Sequence, residues 1–262
     1  MSAIHFYKYQ GTGNDFVIMD NRNGAYNNLT EEQVHHLCDR RFGIGADGLM
    51  LLNNQEGYDF GMKYYNADGR ESSMCGNGGR CLVAFARKMG LKQELLRFLA
   101  VDGPHEASMK GEDWVNLKMQ DVDGVEIGSL YYYLNTGSPH FVKFTDDVQA
   151  LDVYTQGREI RYNDRFAKEG TNVNFVQNMD KGIFVRTYER GVEDETYSCG
   201  TGVTAAALMT AQEEKEYVVP VQTLGGSLEV RFTKTGERSY SNIWLCGPAT
   251  LVYEGDINAA VK

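Results

Sequence analysis

The 262-residue sequence matches itself at an offset of 124 positions, the separation of Cys75 and Cys199. In that gapless register Thr12-Gly13 falls on Thr136-Gly137 and Arg41-Phe42 on Arg165-Phe166. Cys75-Gly76 with Gly78 falls on Cys199-Gly200 with Gly202. Single identities arise by chance, but identities at three motif-like points in one register indicate a duplicated α/β unit. Two halves built on one plan tend to pack about a pseudo-twofold axis, which would set the two cysteine turns facing one another across a cleft. The acidic, glycine-containing stretch from Asp121 to Gly128 is the expected crossing. It places an N-terminal lobe with Cys75 at 1–122 and a C-terminal lobe with Cys199 at 123–249.

Each cysteine stands before a glycine-rich turn that opens a helix. The first helix continues through Leu82-Val83-Ala84-Phe85 and is closed by Gly90; the second continues through Val203-Thr204-Ala205-Ala206-Ala207-Leu208. A cysteine at a helix N-terminus feels the positive end of the dipole, which favours the thiolate. The N–H groups of the first turn form an anion site. Cys38, Cys81 and Cys246 lie in apolar contexts and read as core. Five scattered cysteines, an odd number in a chain of this length, point to free thiols in a reducing cytoplasm.

A net charge of −10, with no basic run longer than two residues, makes nucleic acid and anionic membranes poor partners. No apolar run is long enough to span a bilayer, and Ile4–Tyr9 reads as a strand where a signal peptide would lie.

Along the chain, Ile4–Tyr9 and Phe16–Met19 read as a hairpin whose glycine turn presents Asn14 and Asp15. Thr30 with Gln33 forms a capping box, Leu29 with Val34 a hydrophobic staple, and the helix they start is expected to reach about Arg41. Phe42–Gly48 is a glycine-dense loop of close approach; its spacing is not a dinucleotide fingerprint. Asp59–Tyr65 is a strand ending in the turn Asn66-Ala67-Asp68-Gly69. Short strands alternate with turns from Leu95 to Met119. In the second half Leu130–Leu134, Phe141–Phe144, Asn172–Val176 and Ile183–Tyr188 read as strands. Beyond Val218 the pattern is β again, with Gly225-Gly226 as a hairpin turn.

Two thiols, each with its own anion-binding turn, suit acid–base inversion of a carbon. One removes a proton from one face while the other delivers a proton to the opposite face. Backbone N–H groups at Gly76, Asn77, Gly200 and Thr201 would grip a carboxylate and strengthen as charge develops there. A disulfide couple is the competing reading, but there is no C-x-x-C. Cys75 and Cys81 lack zinc-ribbon spacing and no histidine lies near either turn in sequence, so no metal is expected.

Gly11-Thr12-Gly13-Asn14-Asp15-Phe16, Asn66-Ala67-Asp68-Gly69, Met74-Cys75-Gly76-Asn77-Gly78-Gly79-Arg80, Gly170-Thr171-Asn172-Val173, Tyr188-Glu189-Arg190-Gly191 and Cys199-Gly200-Thr201-Gly202 resemble diaminopimelate epimerase, in family order along nearly the whole chain. The resemblance implies a cofactor-independent, cytoplasmic isomerase interconverting LL- and meso-2,6-diaminoheptanedioate, in lysine and peptidoglycan-precursor synthesis. It also implies a homodimer, and an α/β (α+β) fold of two pseudo-symmetric lobes, each a curled, mostly antiparallel sheet around a central helix. Residues 250–262 would return to the first lobe.

By this resemblance Cys75 and Cys199 are the acid–base pair, and His140 and Glu189 tune the thiols. Asn14, Asn66, Gly76, Asn77, Asn172, Glu189, Arg190, Gly200 and Thr201 bind substrate. One departure stands out: Ser138 occupies a position where the family often has asparagine, so a contact to the distal end of the substrate is expected to be lost or water-bridged. Other two-cysteine racemases, of the proline or hydroxyproline type, are the competing enzymes. Against them stand Arg190 and the asparagines, which suit a distal amino-carboxylate.

Overall fold

The computed structural model describes residues 3–258. The chain forms two compact units, Met1–Leu117 with Pro248–Lys262, and Lys118–Gly247. In the first, β1 (Ala3–Gly11) and β2 (Asn14–Asp20) pair antiparallel across Thr12-Gly13. Both turn residues have positive φ, 49° and 87°, which the twist of a two-residue hairpin turn requires. Helix α1 (Glu31–Cys38) begins at Thr30 with both bonds of the capping box formed, and Leu29 and Val34 enter one core cluster. It stops at Cys38 rather than running on to Arg41. Asp39 turns extended, and its carboxylate accepts the N–H groups of Arg41 and Phe42 at 2.7 Å each.

The loop that follows is one of close approach: a Cβ on Gly43 would lie 1.9 Å from the His36 carbonyl oxygen. Then come β3 (Gly48–Asn53), β4 (Phe60–Asn66), α2 (Gly76–Lys88), β5 (Leu95–Ala100), β6 (Gly103–Lys110) and β7 (Trp114–Lys118). β2 pairs with β3 in parallel, β3 with β4 antiparallel, β4 with β5 in parallel, and β5, β6 and β7 antiparallel in turn. Helix α2 packs against β1, β2, β3 and β6, and every residue from Gly76 to Ala86 is buried. Gly79 makes this possible, because a Cβ there would lie 3.0 Å from Met74 Sδ and 3.1 Å from Leu117 Cδ2; Gly78 lies over Phe16 and Met50 with a little more room.

The second unit comprises β8 (Val122–Asp123), β9 (Glu126–Ile127), β10 (Tyr132–Asn135), β11 (Pro139–Phe144), α3 (Val153–Arg161), β12 (Asn172–Asn178), β13 (Ile183–Glu189), β14 (Asp194–Thr196), α4 (Gly200–Leu208), β15 (Glu216–Thr223), β16 (Gly226–Gly236) and β17 (Ser239–Pro248). Its ladder repeats the first. β10–β11 is antiparallel, β11–β12 parallel, β12–β13 antiparallel, β13–β15 parallel, and β15–β16–β17 antiparallel. Even the register recurs. Phe16 faces Gly48 and His140 faces Asn172; Phe60 faces Phe98 and Phe184 faces Gln222, each pair 124 positions after its counterpart. Helix α4 takes the place of α2, packed against β11, β12, β13, β15 and β16. The last strand, β18 (Thr250–Asn258), lies antiparallel to β1; positions 259–262 of the expected returning segment fall outside the described residues.

Three local expectations are corrected, and one helix appears where none is expected. The helix is α3, whose pattern Gly157 interrupts. A Cβ there would meet the Tyr188 Cβ at 2.3 Å, so the glycine is the price of close packing on β13. Asp152 starts the helix by accepting the Thr155 N–H at 3.0 Å. β10 begins at Tyr132 rather than Leu130. The β15–β16 turn is Leu224-Gly225, with Gly226 already paired to Thr223. The Asp121–Gly128 stretch lies inside the second unit, where β8 pairs with β17 and β9 with β10. Among the described residues no helix is long and apolar enough to cross a membrane.

Candidate active site

In the first unit Cys75 is the N-cap of α2, with extended backbone (φ −96°, ψ 132°), and its carbonyl accepts the Gly79 N–H at 2.7 Å. Its side chain does not cap the helix. Its sulfur lies 3.6 Å from Asn14 Oδ1, and the same oxygen accepts from Asn77 Nδ2 at 3.4 Å. Asn14 Nδ2 donates to Asp47 Oδ2. The β1–β2 turn therefore delivers Asn14 to the start of α2, joining three of the residues singled out in this half. Asn66 ends β4 opposite Gly48; its exposed side chain is not one of the groups this chain of hydrogen bonds joins.

Behind this cluster Asp15 accepts two hydrogen bonds from Arg40, at 2.9 and 2.7 Å, and an ion pair from Lys8 at 2.8 Å. Burial alone would raise its pKa, but Arg40 and Lys8 outweigh burial and hold the carboxyl at about 2. Arg80, the largest fully buried side chain, donates to Asn77 Oδ1 at 3.1 Å, Thr12 Oγ1 at 3.3 Å and the Gly76 carbonyl at 3.4 Å. Burial pushes the Cys38 and Cys81 thiols up to about 12, as inert core cysteines.

In the second unit Cys199 is the N-cap of α4 (φ −105°, ψ 112°), and its carbonyl accepts the Val203 N–H at 2.8 Å. Its sulfur lies 3.5 Å from the hydroxyl of Thr201. Asn172, buried at the start of β12, donates to Ser138 Oγ at 2.9 Å and to the Pro139 carbonyl at 3.1 Å, and accepts the Arg190 N–H at 2.9 Å. Arg190 Nη2 reaches the same Ser138 hydroxyl at 3.3 Å. Ser138, where a contact to the distal end of the substrate is expected to be lost or water-bridged, is itself the hub between Asn172 and Arg190. A signal was available: at the 124-residue offset Ser138 is the counterpart of Asn14. Glu189 closes β13 and accepts the Thr196 hydroxyl at 2.9 Å.

His140 is fully buried. Burial, with the charge of Arg190 a lesser cause, lowers its pKa from 6.5 to about 3, so the ring is neutral at neutral pH. Asn174 Nδ2 faces Nδ1 at 3.1 Å while its oxygen accepts from Thr187 at 3.0 Å. An amide held that way donates to Nδ1, which leaves the ring proton on Nε2; Nε2 is buried with no hydrogen-bond partner among the described residues. Asn174 also dictates Gly202, since a Cβ there would lie 2.2 Å from Asn174 Oδ1. Among the described residues no group of three or more His, Cys, Asp or Glu side chains could hold a metal ion.

The family model for diaminopimelate epimerase matches this chain in two stretches, residues 6–124 and 132–252, one for each half. The chain belongs to the diaminopimelate epimerase family. A diaminopimelate epimerase from Flavobacterium psychrophilum is 48% identical over 257 residues, 97% of this chain and 100% of that protein. Another from Chlorobaculum tepidum is 45% identical, covering 94% and 98%. Among solved structures, a phenazine biosynthesis protein of the PhzF family from Bacillus anthracis aligns with a TM-score of 0.75 at 16% identity, covering 98% of this chain and 100% of that one. A hydroxyproline epimerase from Agrobacterium vitis aligns at 0.67 with 14% identity, covering 97% and 92%. At those identities the two structures share the fold, while the sequence relatives carry the family.

Proposed function

We propose that this chain is an isomerase that interconverts LL- and meso-diaminopimelate, with Cys75 and Cys199 as its acid and base. The observation that carries this reading is near full-length identity of 48% to a diaminopimelate epimerase, combined with a cysteine at the N-cap of one buried helix in each unit. Inversion of an α-carbon needs a base on one face and an acid on the other. In one direction Cys75 would take the α-proton as Cys199 gives one; in the reverse direction the roles exchange.

The first-turn N–H groups at Gly76, Asn77, Gly200 and Thr201 would hold the α-carboxylate, whose charge grows as the proton leaves. Asn14, Asn66, Asn172, Glu189 and Arg190, together with Ser138, would select the distal amino-carboxylate. His140 and Glu189 would set the protonation of the thiols. The chemistry asks for no cofactor, because two thiols supply both proton transfers. The competing redox reading has less support: neither thiol lies in a C-x-x-C.

The test is incubation of the purified, reduced protein with LL-diaminopimelate alone in deuterated water, followed by chiral analysis and mass spectrometry. Formation of the meso isomer carrying solvent deuterium at one α-carbon is the expected result. Inversion of proline or hydroxyproline instead, or no deuterium entry at any amino acid, would overturn the reading. Activity should survive dialysis against a chelator and a carbonyl reagent.

A further inference from the structure

Two charged residues outside the proposed acid–base and substrate set, Arg80 and Asp47, bracket a row of side-chain amides in the first unit. Arg80 Nη2 donates to Asn77 Oδ1 at 3.1 Å, Asn77 Nδ2 donates to Asn14 Oδ1 at 3.4 Å, and Asn14 Nδ2 donates to Asp47 Oδ2. A guanidinium can only donate and a carboxylate can only accept. An amide between neutral neighbours could rotate end for end at little cost; between these two it cannot. Turning Asn77 would aim an NH2 at Arg80, and turning Asn14 would aim a carbonyl at Asp47. Both orientations are therefore imposed from the ends of the row.

The geometry points to Asp47 and Arg80 as positioning residues that fix both amides so that Cys75 meets a carbonyl oxygen, Asn14 Oδ1, at 3.6 Å. A carbonyl accepts from a thiol and has nothing to offer a thiolate, so this orientation favours the protonated sulfur. In the second unit the sulfur of Cys199 meets a hydroxyl, Thr201 Oγ1, which can donate as well as accept. The row is thus a device for making the two thiols unlike.

Other charges also bear on Cys75. Arg80 lies on its own helix, Asp15 and Lys8 come from the β1–β2 hairpin, and Arg40 and Asp47 flank the loop before β3. Asp102, paired with His105, accepts the Met74 N–H at 3.4 Å from the β5–β6 hairpin. The positive charge of Arg80 favours thiolate and the nearby carboxylates oppose it, so the contribution of orientation must be separated from that of charge. Asp15 provides the control, since Asp15→Asn removes the same charge beside Asn14 at a side chain that bonds neither amide of the row, only Arg40, Lys8 and the Asp47 N–H.

The inference rests on the reading of Cys75 as one of the acid–base thiols, but its test needs no turnover. In the full chain carrying Cys199→Ala, the pH dependence of Cys75 alkylation is followed by peptide mass spectrometry. In a background that also carries Asn77→Ala, which removes the donor that Arg80 holds against Asn14 Oδ1, Asp47→Asn frees the Asn14 amide to turn its NH2 to the sulfur. The alkylation midpoint should then fall by about one pH unit, the worth of one ordinary hydrogen bond. Asp47→Glu should keep it near the parent value. An unmoved midpoint in Asp47→Asn, or an equal fall in Asp15→Asn, would overturn the inference. Neutron diffraction of the wild-type protein reads the orientation without any variant. The Asn14 deuterons should point to Asp47 and the Asn77 deuterons to Asn14; the reverse assignment sinks the proposal even if epimerase activity is found.

Discussion

The two units share a hydrogen-bond ladder but have different floors beneath their cysteine helices. At equivalent places in the ladder the first unit has Phe16, Gly48 and Met50, where the second has His140, Asn172 and Asn174. The apolar floor lets α2 sit on Phe16 and Met50; the polar floor puts a neutral histidine and an oriented amide under α4. On the helices themselves, buried Arg80 corresponds to buried Thr204, and Asn77 to Thr201. Backbone pairing has been kept through the duplication while the side chains around each sulfur diverged. What the duplication preserved is the placement of a cysteine at a helix N-cap. What it released is the environment that decides how each thiol holds its proton.

The largest effect should come from the feature the units have in common. Cys75→Ala and Cys199→Ala should each lower epimerisation by at least about 10²-fold, since the proposed mechanism needs both as proton carriers. Chiral analysis measures it. An alanine variant of either cysteine that stays near the wild-type rate would make the two units functionally unequal in a way the proposed mechanism forbids.

The next effect distinguishes the floors by pH. The folded-state pKa of His140, about 3, lies below its ordinary 6.5, so the unfolded chain binds the proton first as the solution is acidified. The stability this group contributes is complete above about pH 6.5 and is lost as pH falls toward 3, at up to about 1.4 kcal/mol per pH unit. Asp15, held at about 2 against an ordinary 3.8, gives up its contribution only between those lower values. Urea midpoints of the full chain should therefore drop between pH 6.5 and 4.5, and His140→Gln should flatten that drop. Asp15→Asn should change the profile only below about pH 4.

Two glycines 124 positions apart compare the floors sterically. Gly202→Ala drives a methyl to 2.2 Å from Asn174 Oδ1, an amide held by His140, Phe141 and Thr187, and should cost about 1–3 kcal/mol. Gly78→Ala meets the flexible Met50 sulfur at 3.3 Å, and the helix gains up to about 1 kcal/mol from alanine, so its stability should change little. Thermal unfolding of the two variants side by side decides the matter, and equal losses would mean the floors do not differ in rigidity. On α4 itself, Thr204→Val removes one hydrogen bond, from Oγ1 to the Gly200 carbonyl at 2.9 Å, and should cost about 1 kcal/mol with the fold intact.

Much of this molecule is written in short-range pattern. The capping box at Thr30, the Thr12-Gly13 hairpin turn, the two Cys-Gly-x-Gly helix starts and the 124-residue register all depend on residues close in sequence, whose conformational preferences act before any packing. Those features carried the duplicated α/β unit and the two cysteines, while the two-lobe fold and the other site residues rested on the resemblance to diaminopimelate epimerase. Tertiary structure decided the rest. Helix α3 exists despite Gly157 because Tyr188 packs where a side chain would be, and α1 ends early because Asp39 captures the next two N–H groups. Ser138 joins Asn172 to Arg190, and Asp47 and Arg80 bracket the two amides beside one sulfur, through bonds between residues 33 to 63 positions apart, save the one-turn step from Arg80 to Asn77. The direction in which an amide points is not encoded in asparagine, whose two ends are nearly alike in shape. It is set by which neighbours can only donate and which can only accept, and the folded chain alone brings those neighbours together.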